Sequence, residues 1–344
     1  MKPQLILYIG SLSPNCNCYK RYKTLLDLGY NVVGIDIDKS IYVKNITASI
    51  HHRFSIGYGI YKLKQQVIKA VDELKPDLIW VDNKPYLMES TLKKIIKKLP
   101  KVKLINVVTD DANGRYRSYW WVTRKTAKYY HHHFVQRTEN IEEYYNWGAK
   151  KVDYCLRSFD PNFHKIVTLT IDEKKQFSCN VGFIGSYEEE RAEFIAYLIK
   201  NGVAVNVIGD GWINKKYWST IAPHFISKGV YSDEYVKRLN AMQIAVHFIR
   251  VANRDQQDSR TFEIPACGAF MIAQRTPVHE KLFDENKEAV FFDTKEELLE
   301  KVKYYLENVS ERKAIAEAGH AKCFTAGYTH SDRLIDVLNK GWYN

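Results

Sequence analysis

The chain has 344 residues, of which 45% are hydrophobic, and this length and composition favour two packed domains over a disordered chain or one small core. Its formal net charge of +11 favours anionic partners such as nucleic acid, an anionic membrane or a phosphorylated ligand, without choosing among them. No apolar run approaches the ~20 residues that span a bilayer, and the 6 cysteines have neither disulfide nor zinc spacing, so we expect a cytoplasmic protein that contacts the inner membrane face peripherally at most.

The first half of the chain alternates strands with helices. Continuous apolar runs, which are typical of strands buried on both faces, predict strands at 5–9, 31–37, 77–82, 103–108 and 134–135. Helices are predicted at 19–28, 90–98 and 140–147, the first and last being stopped by Gly29 and Gly148. Repeated β-α units of this kind predict a parallel sheet with right-handed crossovers.

A second series of strands and helices follows a polar stretch between Pro161 and Cys179, which lacks amphipathic periodicity and indicates a domain boundary. Ser186 and Glu189 have the spacing of a capping box for a helix that runs to Lys200. We therefore predict an α/β protein with two Rossmann-like domains, 1–165 and 166–327, and a terminal segment 328–344. The further strands are predicted at 204–208, 244–248, 269–273 and 289–292, after a first strand at 180–185, and the last helices at 295–306 and 310–318.

Five loops follow predicted strands, and ligands of open α/β sheets bind beyond the carboxyl ends of the strands. These loops contain Gly10–Ser11, Asp110–Asp111, Gly185–Ser186, Gly209–Gly211 and the stretch 250–263. Glycines at such places bring the backbone close to a pyrophosphate. The three glutamates at 188–190 would nevertheless repel a phosphate, so a purely structural role for the glycines stays open, as does an Arg191–glutamate pair.

The run from Ser259 to Gly268 predicts the start of a helix. Ser259 or Thr261 is the expected cap, Glu263 falls in the first turn, and Pro265 is tolerable only there. A helix start attracts anions, and Arg260 adds positive charge. The Glu263 carboxylate can accept two hydrogen bonds from a vicinal diol such as a ribose. The run therefore indicates a nucleotide site, and the alternative is an amphipathic helix with an Arg–Glu surface pair.

Asp110 and Asp111 are the candidate catalytic residues of the first domain. A carboxylate at a strand end can take a proton from a hydroxyl, whereas paired acids also fit a divalent cation or a turn or helix cap. The three histidines at 131–133 cannot converge on one metal, because successive strand residues point to opposite faces. We expect no bound metal.

The run RTFEIPACG at 260–268 resembles the signature of the CgeB-like (spore maturation protein-like) branch of the GT-B glycosyltransferases. Other segments are similar to that branch at 110–111, 158–164, 181–187 with Arg191, and 283–298, so the resemblance covers most of the chain. It implies two Rossmann-like domains that face each other across a cleft. It also implies transfer of a sugar from a nucleotide sugar to a hydroxyl on a glycan, a lipid-linked glycan or a surface protein, without a cofactor or an obligatory metal.

The resemblance also implies roles for individual residues. Glu263 would bind the ribose, Asp110 or Asp111 would be the base on the acceptor side, and the terminal segment would pack back towards the first domain. Many retaining GT-B enzymes carry a second glutamate where Asp255 stands here, which leaves the stereochemical outcome open. The other substrate-binding candidates are Gly10, Ser11, Gly185, Ser186, Arg191, Gly209, Gly211, Val230, Tyr231, Arg260, Thr261 and Phe262.

Two other classes of protein remain as alternatives. One is a two-lobed module that closes on a nucleotide or a sugar without turnover, which the shorter acid at position 255 keeps open. The other is a nucleic-acid binder, prompted by the positive charge. No nucleic acid is expected, because the basic residues are dispersed and no reading motif is present.

Overall fold

The computed structural model describes residues 2–14, 16–41, 54–84, 86–115 and 117–343. It divides into two compact units, of which the first comprises 1–156, 251–255 and 330–344 and the second 157–250 and 256–329. The sequence-based limits were 165 and 328, and the structure adds the short stretch 251–255 to the first unit. None of the described helices is both long and apolar enough to cross a membrane.

The first unit is built on a parallel six-stranded sheet in the order β2-β1-β3-β4-β5-β6. The five strands predicted from the apolar runs are confirmed, whereas β6 was missed because it has only three residues. The strands are β1 Ile6–Gly10, β2 Val32–Asp36, β3 Leu78–Asp82, β4 Lys103–Val108, β5 His132–Val135 and β6 Val152–Tyr154. The helices are Asn17–Asp27, Asp38–Ile41, Tyr58–Leu74, Glu89–Lys98, Trp121–Thr126, Glu139–Asn146 and His330–Leu338, with 3₁₀ turns at Arg117–Trp120, Ala127–Tyr129 and Val251–Asn253 and a π turn at Asn339–Tyr343.

Both faces of this sheet are buried, which explains why its strands are continuous apolar runs. Leu7 and Ile9 of β1 point into one hydrophobic cluster, and Ile6 and Tyr8 point into another on the opposite face. The helix Tyr58–Leu74, absent from the sequence prediction, covers the first cluster. The C-terminal helix His330–Leu338 covers the second.

The second unit has a parallel six-stranded sheet in the order β12-β11-β10-β7-β8-β9. Its predicted strands are confirmed, and β9, again of three residues, was missed. The strands are β7 Cys179–Ile184, β8 Val205–Ile208, β9 Phe225–Ser227, β10 Met242–His247, β11 Phe270–Gln274 and β12 Val290–Phe292. The helices are Ile171–Phe177, Glu189–Lys200, Trp218–Ile221, Ser232–Ala241, Arg260–Ala266, Pro277–Leu282, Lys295–Glu307 and Val309–Thr325, with a 3₁₀ turn at Ala222–His224.

The capping box predicted for Ser186 and Glu189 is wrong. Glu188 precedes that helix and makes no side-chain cap. A complete box lies instead at Thr170 and Glu173, where the Thr170 hydroxyl accepts the Glu173 N–H at 3.2 Å and the Glu173 carboxylate accepts the Thr170 N–H at 2.9 Å. It starts the helix Ile171–Phe177 inside the polar stretch in which the sequence predicts the domain boundary.

The helix Val309–Thr325 is longer than predicted because Gly319 does not end it. A Cβ at Gly319 would overlap the Glu288 carbonyl oxygen. The glycine therefore allows a close approach of two backbone segments, which the sequence does not distinguish from a helix stop.

Candidate active site

The loops after β7 and β10 meet at the centre of the second sheet. These two strands are neighbours, and the chain leaves them towards opposite sides of the sheet, so a ligand crevice is expected at their carboxyl ends. The loop after β8 lies directly beside Gly185: Gly209 has φ +152°, and a Cβ on it would overlap the Gly185 carbonyl oxygen. Tyr187 N–H donates to the Asp210 carbonyl at 2.9 Å. The two predicted glycine loops are thus in contact.

Arg191 is buried next to the loop after β7. Its Nη1 atom donates to the Ser186 carbonyl at 3.2 Å. Glu188 lies 3.8 Å from Arg191 Nε and accepts a hydrogen bond from Arg250 Nε at 3.1 Å. Burial lowers the pKa of Arg191 from its usual value. Its Nε atom has no hydrogen-bond acceptor among the described residues, which leaves a buried donor for an anion.

Asp258 caps the helix Arg260–Ala266, in place of the predicted Ser259 or Thr261. Its Oδ1 atom accepts the N–H of Arg260 at 2.7 Å and that of Thr261 at 3.4 Å. Burial acts to raise the pKa of Asp258, but surrounding positive charge outweighs it and lowers the pKa to about 2. The groups that do so are His247, Arg260, Arg157 and Arg191.

Arg260 completes a cluster of arginines and carboxylates, which we call the arginine cluster. Burial opposes its charge, but Tyr235, Asp258 and Glu263 outweigh that effect and raise its pKa. Its Nε atom is buried without an acceptor in the described part of the chain. The cluster has four arginines (157, 191, 250 and 260) and three carboxylates (188, 258 and 263), so it carries one excess positive charge. That excess suits an anionic ligand.

Glu263 lies in the first turn of the same helix, as predicted. Its Oε2 atom accepts a hydrogen bond from the buried Tyr235 hydroxyl at 2.7 Å, and His164 Nε2 lies 3.6 Å from Oε1. Neither Tyr235 nor His164 was assigned a role from the sequence, because both are distant from Glu263 along the chain. They orient the carboxylate beside Arg260.

Two residues of the RTFE run, Thr261 and Phe262, contact other side chains of the second unit. The Thr261 hydroxyl contacts His279 Nε2 at 2.9 Å and His247 Nε2 at 3.3 Å. Phe262 is fully buried, and its ring centroid lies 5.1 Å from that of Tyr328. Both side chains anchor the helix in the second unit, so their sequence-based assignment to substrate binding stays a prediction without support from the side-chain contacts.

The loop 228–231 folds against the end of β8. Asp210 accepts hydrogen bonds from Gly229 N–H at 3.3 Å and from the Tyr231 hydroxyl at 3.4 Å. Tyr231 is 61% exposed and its hydroxyl is close enough to Arg260 to raise the pKa of that arginine. This loop, which contains the substrate-binding candidates Val230 and Tyr231, is thus near the arginine cluster, and the candidate Gly211 follows Asp210 in the chain.

In the first unit, Asp111 is bound on all sides. Its two carboxylate oxygens accept hydrogen bonds from Arg254 Nε at 2.6 Å and Nη2 at 2.8 Å. The Asn140 amide, at 3.1 Å, and the Asn113 N–H, at 2.9 Å, donate as well. Burial acts to raise the pKa of Asp111, but these hydrogen bonds and the Arg254 charge lower it overall. Glu143 shares Arg254 at 2.9 Å.

Asp110 is only half-buried and is held by side-chain amides. Asn83 Nδ2 donates to it at 2.9 Å, and Asn253 Nδ2 does so at 3.4 Å. Asn83 has φ +65°, and its Oδ1 atom accepts the Asp110 N–H at 3.2 Å. The two neighbouring acids, equivalent in the sequence, therefore have different surroundings.

Asp255 stands where many retaining GT-B enzymes carry a glutamate. It forms a buried ion pair with Arg137. Arg137 is 1% exposed, donates to the Asn253 carbonyl and lies 3.3 Å from the Thr109 carbonyl. The stretch 251–255 is thereby fixed within the first unit.

Gly10 and Ser11 are the remaining residues predicted to bind substrate. Gly10 is the last residue of β1, and Ser11 follows it. A Cβ on Gly10 would lie 3.2 Å from the Cβ of Asp82, which forms a buried ion pair with Arg21 at 2.6 Å. The Ser11 hydroxyl donates to Asp38. These contacts make the pair part of the unit's packing, and its predicted contact with substrate stays a prediction.

The three adjacent histidines have three separate partners. His131 Nδ1 accepts the Leu104 N–H at 3.0 Å, His132 Nε2 lies 2.7 Å from Asp153, and His133 Nε2 lies 2.9 Å from the Ala127 carbonyl. Within the described ranges, no group of three His, Cys, Asp or Glu side chains is arranged to hold a metal ion.

Comparison with known proteins gives one family match and several similar structures. Residues 191–339 match the family model described as Glycosyl transferase-like, whereas no curated protein matches the chain. Anabaena HepE, solved in complex with UDP-glucose, is 11% identical over 98% of this chain and 99% of its own, with a TM-score of 0.68. Sucrose-phosphate synthase from Thermosynechococcus elongatus is 10% identical over 99% of each chain, with a TM-score of 0.72. A glycosyltransferase from Rickettsia africae is 12% identical over the full length of both chains, with a TM-score of 0.65.

The two six-stranded parallel sheets and these likenesses agree on one architecture. The structural likenesses extend over almost the whole chain, and the family match covers most of the second unit, including Arg191, Arg260 and Glu263. The protein therefore has the GT-B fold, and its residues 191–339 are similar to the glycosyl transferase-like family.

Proposed function

We propose that this glycosyltransferase transfers a sugar from a nucleotide sugar to a hydroxyl acceptor, and that its second unit binds the nucleotide. The observation that carries the proposal is the arginine cluster beside Glu263, which combines excess positive charge with an oriented carboxylate. A nucleoside diphosphate needs both, a cation for the phosphates and an acceptor for the ribose hydroxyls. UDP-glucose, bound by HepE, is the first donor to test.

In this proposal Glu263 accepts hydrogen bonds from the ribose diol. Arg260 and Arg191 use their unpaired Nε atoms for the diphosphate, and the loop with Val230 and Tyr231 contacts the base. The diphosphate gains negative charge as the bond to the sugar breaks, so fixed cations stabilise the leaving group more than the ground state. This arrangement supports transfer without an obligatory metal, and the nucleotide sugar is the only co-substrate.

We propose Asp110 as the base. Asp111 is fully hydrogen-bonded to Arg254, Asn140 and Asn113, so it has little capacity to accept a proton, whereas Asp110 is more exposed. Asp110 would take the hydroxyl proton while the acceptor oxygen forms a bond to the anomeric carbon. The bond from that carbon to the diphosphate oxygen breaks, and the nucleoside diphosphate leaves. The acceptor hydroxyl belongs to a glycan, a lipid or a protein.

We assign the enzyme to the CgeB-like branch on the RTFE run and propose a cytoplasmic location. Support for the branch comes from the position of that run at the helix start with the arginine cluster.

A thermal-shift series with UDP, GDP, CDP and ADP tests the nucleotide site, since a ligand that binds only the native state raises its stability. The donor selected in this way is then incubated with enzyme, and free nucleoside diphosphate is measured. We expect release of diphosphate, and loss of both signals in Arg260→Ala. Stabilisation by a nucleotide without any release from its sugar conjugates, with glycan and lipid hydroxyl acceptors supplied, would indicate a non-catalytic binding protein instead.

A further inference from the structure

Cys16 and Cys18 lie together at the start of the helix Asn17–Asp27, after the loop that follows β1. Cys16 directly precedes the helix and has an extended backbone, with φ −95° and ψ 140°, and Cys18 belongs to the first turn. A side chain in the position of Cys16 lies over that turn. Residues two apart are about 5–7 Å apart between Cα atoms, which is the separation that a disulfide spans. Both cysteines are free thiols in the structure.

The Cys18 thiol is buried among polar and charged groups of the first sheet. Its Sγ atom donates to Asp82 Oδ1 at 3.3 Å and accepts a hydrogen bond from Arg21 Nη2 at 3.5 Å. The Tyr8 hydroxyl donates to the Cys18 carbonyl at 2.8 Å. The hydrogen bond to Cys16, burial and the Asp82 carboxylate raise the pKa of Cys18 well above its usual value. Cys18 is therefore protonated at neutral pH.

Cys16 is held in the opposite protonation state. It is half-buried, beside the Cys18 thiol and the Ser11 hydroxyl. The hydrogen bond from the Cys18 thiol lowers the pKa of Cys16 to about 6, with help from Ser11 and the Arg21 charge and against the effect of burial. Cys16 is therefore mainly a thiolate at neutral pH, which is the nucleophilic form of cysteine.

Cys179 shows that half-burial alone does not produce a thiolate. It is also half-buried, at the start of β7, but burial raises its pKa to about 11 against the opposing charge of Arg238. The other three cysteines, Cys155, Cys267 and Cys323, are buried. An accessible thiolate next to a protonated second thiol is the arrangement by which cysteines respond to peroxides.

We propose that Cys16 is a site of reversible oxidation by hydroperoxides and that Cys18 then closes a disulfide with it. The Cys16 thiolate attacks the terminal peroxide oxygen, so that an S–O bond forms and the O–O bond breaks. Sulfur is oxidised to the sulfenic acid, and the peroxide is reduced to an alkoxide, which takes a proton to give the alcohol. Cys18 Sγ next attacks Cys16 Sγ. The S–S bond forms, the S–O bond breaks, and hydroxide leaves with the Cys18 proton as water.

Such a disulfide would be a reversible bond rather than a structural one. It would close a very short loop, and the stabilisation from a disulfide decreases with loop length. Its formation would also draw Cys18 Sγ away from Asp82, which costs a buried hydrogen bond. Both effects leave it open to reduction by thiols. The oxidation is independent of the proposed transfer reaction and can be measured without it.

Alkylation of the folded full-length protein tests the thiolate. The protein is treated briefly with iodoacetamide at pH 7, and labelled peptides are quantified by mass spectrometry. We expect Cys16 to react about 50-fold faster than Cys179, because its larger thiolate fraction outweighs the lower nucleophilicity of a thiolate of low pKa. The rate at Cys16 should be half-maximal at about pH 6. Cys18→Ala removes the hydrogen bond to Cys16 and should move this midpoint towards the ~8.5 of an ordinary thiol.

Oxidation by roughly one equivalent of hydrogen peroxide tests the pair. The peptide that contains both cysteines should lose the mass of two hydrogens, and dithiothreitol should restore it. In Cys18→Ser the sulfenic acid has no thiol partner, so dimedone should trap it on Cys16. Cys179→Ser is the matched control and should oxidise like the unaltered chain. Circular dichroism should show all variants folded.

Equal alkylation of Cys16 and Cys179 would overturn the proposal. So would a peptide that keeps its mass after peroxide treatment. A disulfide between Cys16 and any cysteine other than Cys18, detected as a cross-linked peptide or as a dimer on a non-reducing gel, would overturn it as well.

Discussion

The acid–arginine clusters of the two units are built from the same residue types but carry opposite excess charge. In the second unit, four arginines surround three carboxylates. In the first, Arg137 and Arg254 face four carboxylates, at 110, 111, 143 and 255, an excess of two negative charges. In the proposed function, the positive cluster binds the diphosphate and the negative cluster accepts the proton of the hydroxyl.

The clusters also differ in the hydrogen bonds that remain available. The guanidinium of Arg254 donates hydrogen bonds to the carboxylates of Asp111 and Glu143. Arg191 and Arg260 each keep a buried Nε donor without an acceptor among the described side chains. Buried donors are rarely left unpaired, because each costs about 1–3 kcal/mol. The two clusters therefore differ in that Arg254 uses its donors within the first unit, whereas Arg191 and Arg260 each keep a buried donor.

Replacing Asp110 is the sharpest test of the negative cluster. Asp110→Asn keeps the size and most hydrogen bonds but removes the base, so turnover should fall about 10²–10⁴-fold, with unchanged nucleotide affinity. Steady-state kinetics and calorimetry with a nucleoside diphosphate provide the two readouts. Asp111→Asn is the paired control and should lower the melting temperature through the lost Arg254 pair. Near-normal turnover in Asp110→Asn would remove it as the base.

The buried Arg137–Asp255 pair should matter for stability rather than catalysis. Arg137→Met leaves Asp255 buried without its partner, and this should lower the free energy of unfolding by about 3–5 kcal/mol. Urea denaturation of the full chain measures the loss. Adding Asp255→Leu should restore much of it, since an apolar pair of similar volume replaces a buried ion pair well. A single variant as stable as the unaltered chain would show that the pair contributes nothing.

The positive cluster is tested through Glu263. Glu263→Ala should weaken nucleoside diphosphate binding by about 1.5–3 kcal/mol, or roughly 10–100-fold, because a charged hydrogen-bond acceptor is lost. Tyr235→Phe removes only the donor that orients the carboxylate and should have a smaller effect on the same titration. Unchanged affinity in a folded Glu263→Ala protein would place the ribose elsewhere.

Acid should destabilise the second unit through its buried histidine. Burial lowers the pKa of His247 to about 3, below the ~6.5 of an unfolded chain. The folded state therefore resists protonation, and stability is lost as the pH falls below about 6.5. Between pH 7 and pH 5 the loss from this group is about 2 kcal/mol. His247→Gln should reduce the drop in melting temperature over this interval, whereas His224→Gln, a partly exposed control, should leave it unchanged.

The smallest expected effect concerns metal ions. If arginines stabilise the diphosphate, EDTA should leave turnover unchanged. Loss of activity on chelation, with recovery on adding manganese or magnesium, would show that the negative cluster binds a cation and would end the division of roles between the two clusters.

The sequence by itself determined the fold class and ten of the twelve strands found in the described part of the chain. Buried parallel strands need continuous apolar runs, and such runs are visible locally, whereas β6 and β9 are too short to give a signal. The sequence also placed Glu263 in the first turn of a helix, because charge and capping preferences act over a few residues.

Only the tertiary structure decided what each polar side chain does. Asp111 forms an ion pair with Arg254, which is 143 residues away in the chain. Asp255 forms one with Arg137, which is 118 residues away. Asp258 caps the helix in place of Ser259 or Thr261, because its carboxylate accepts the N–H groups of Arg260 and Thr261. A local pattern shows that an acid follows a strand. Whether that acid is paired, capped or available depends on groups that only folding brings within hydrogen-bond distance.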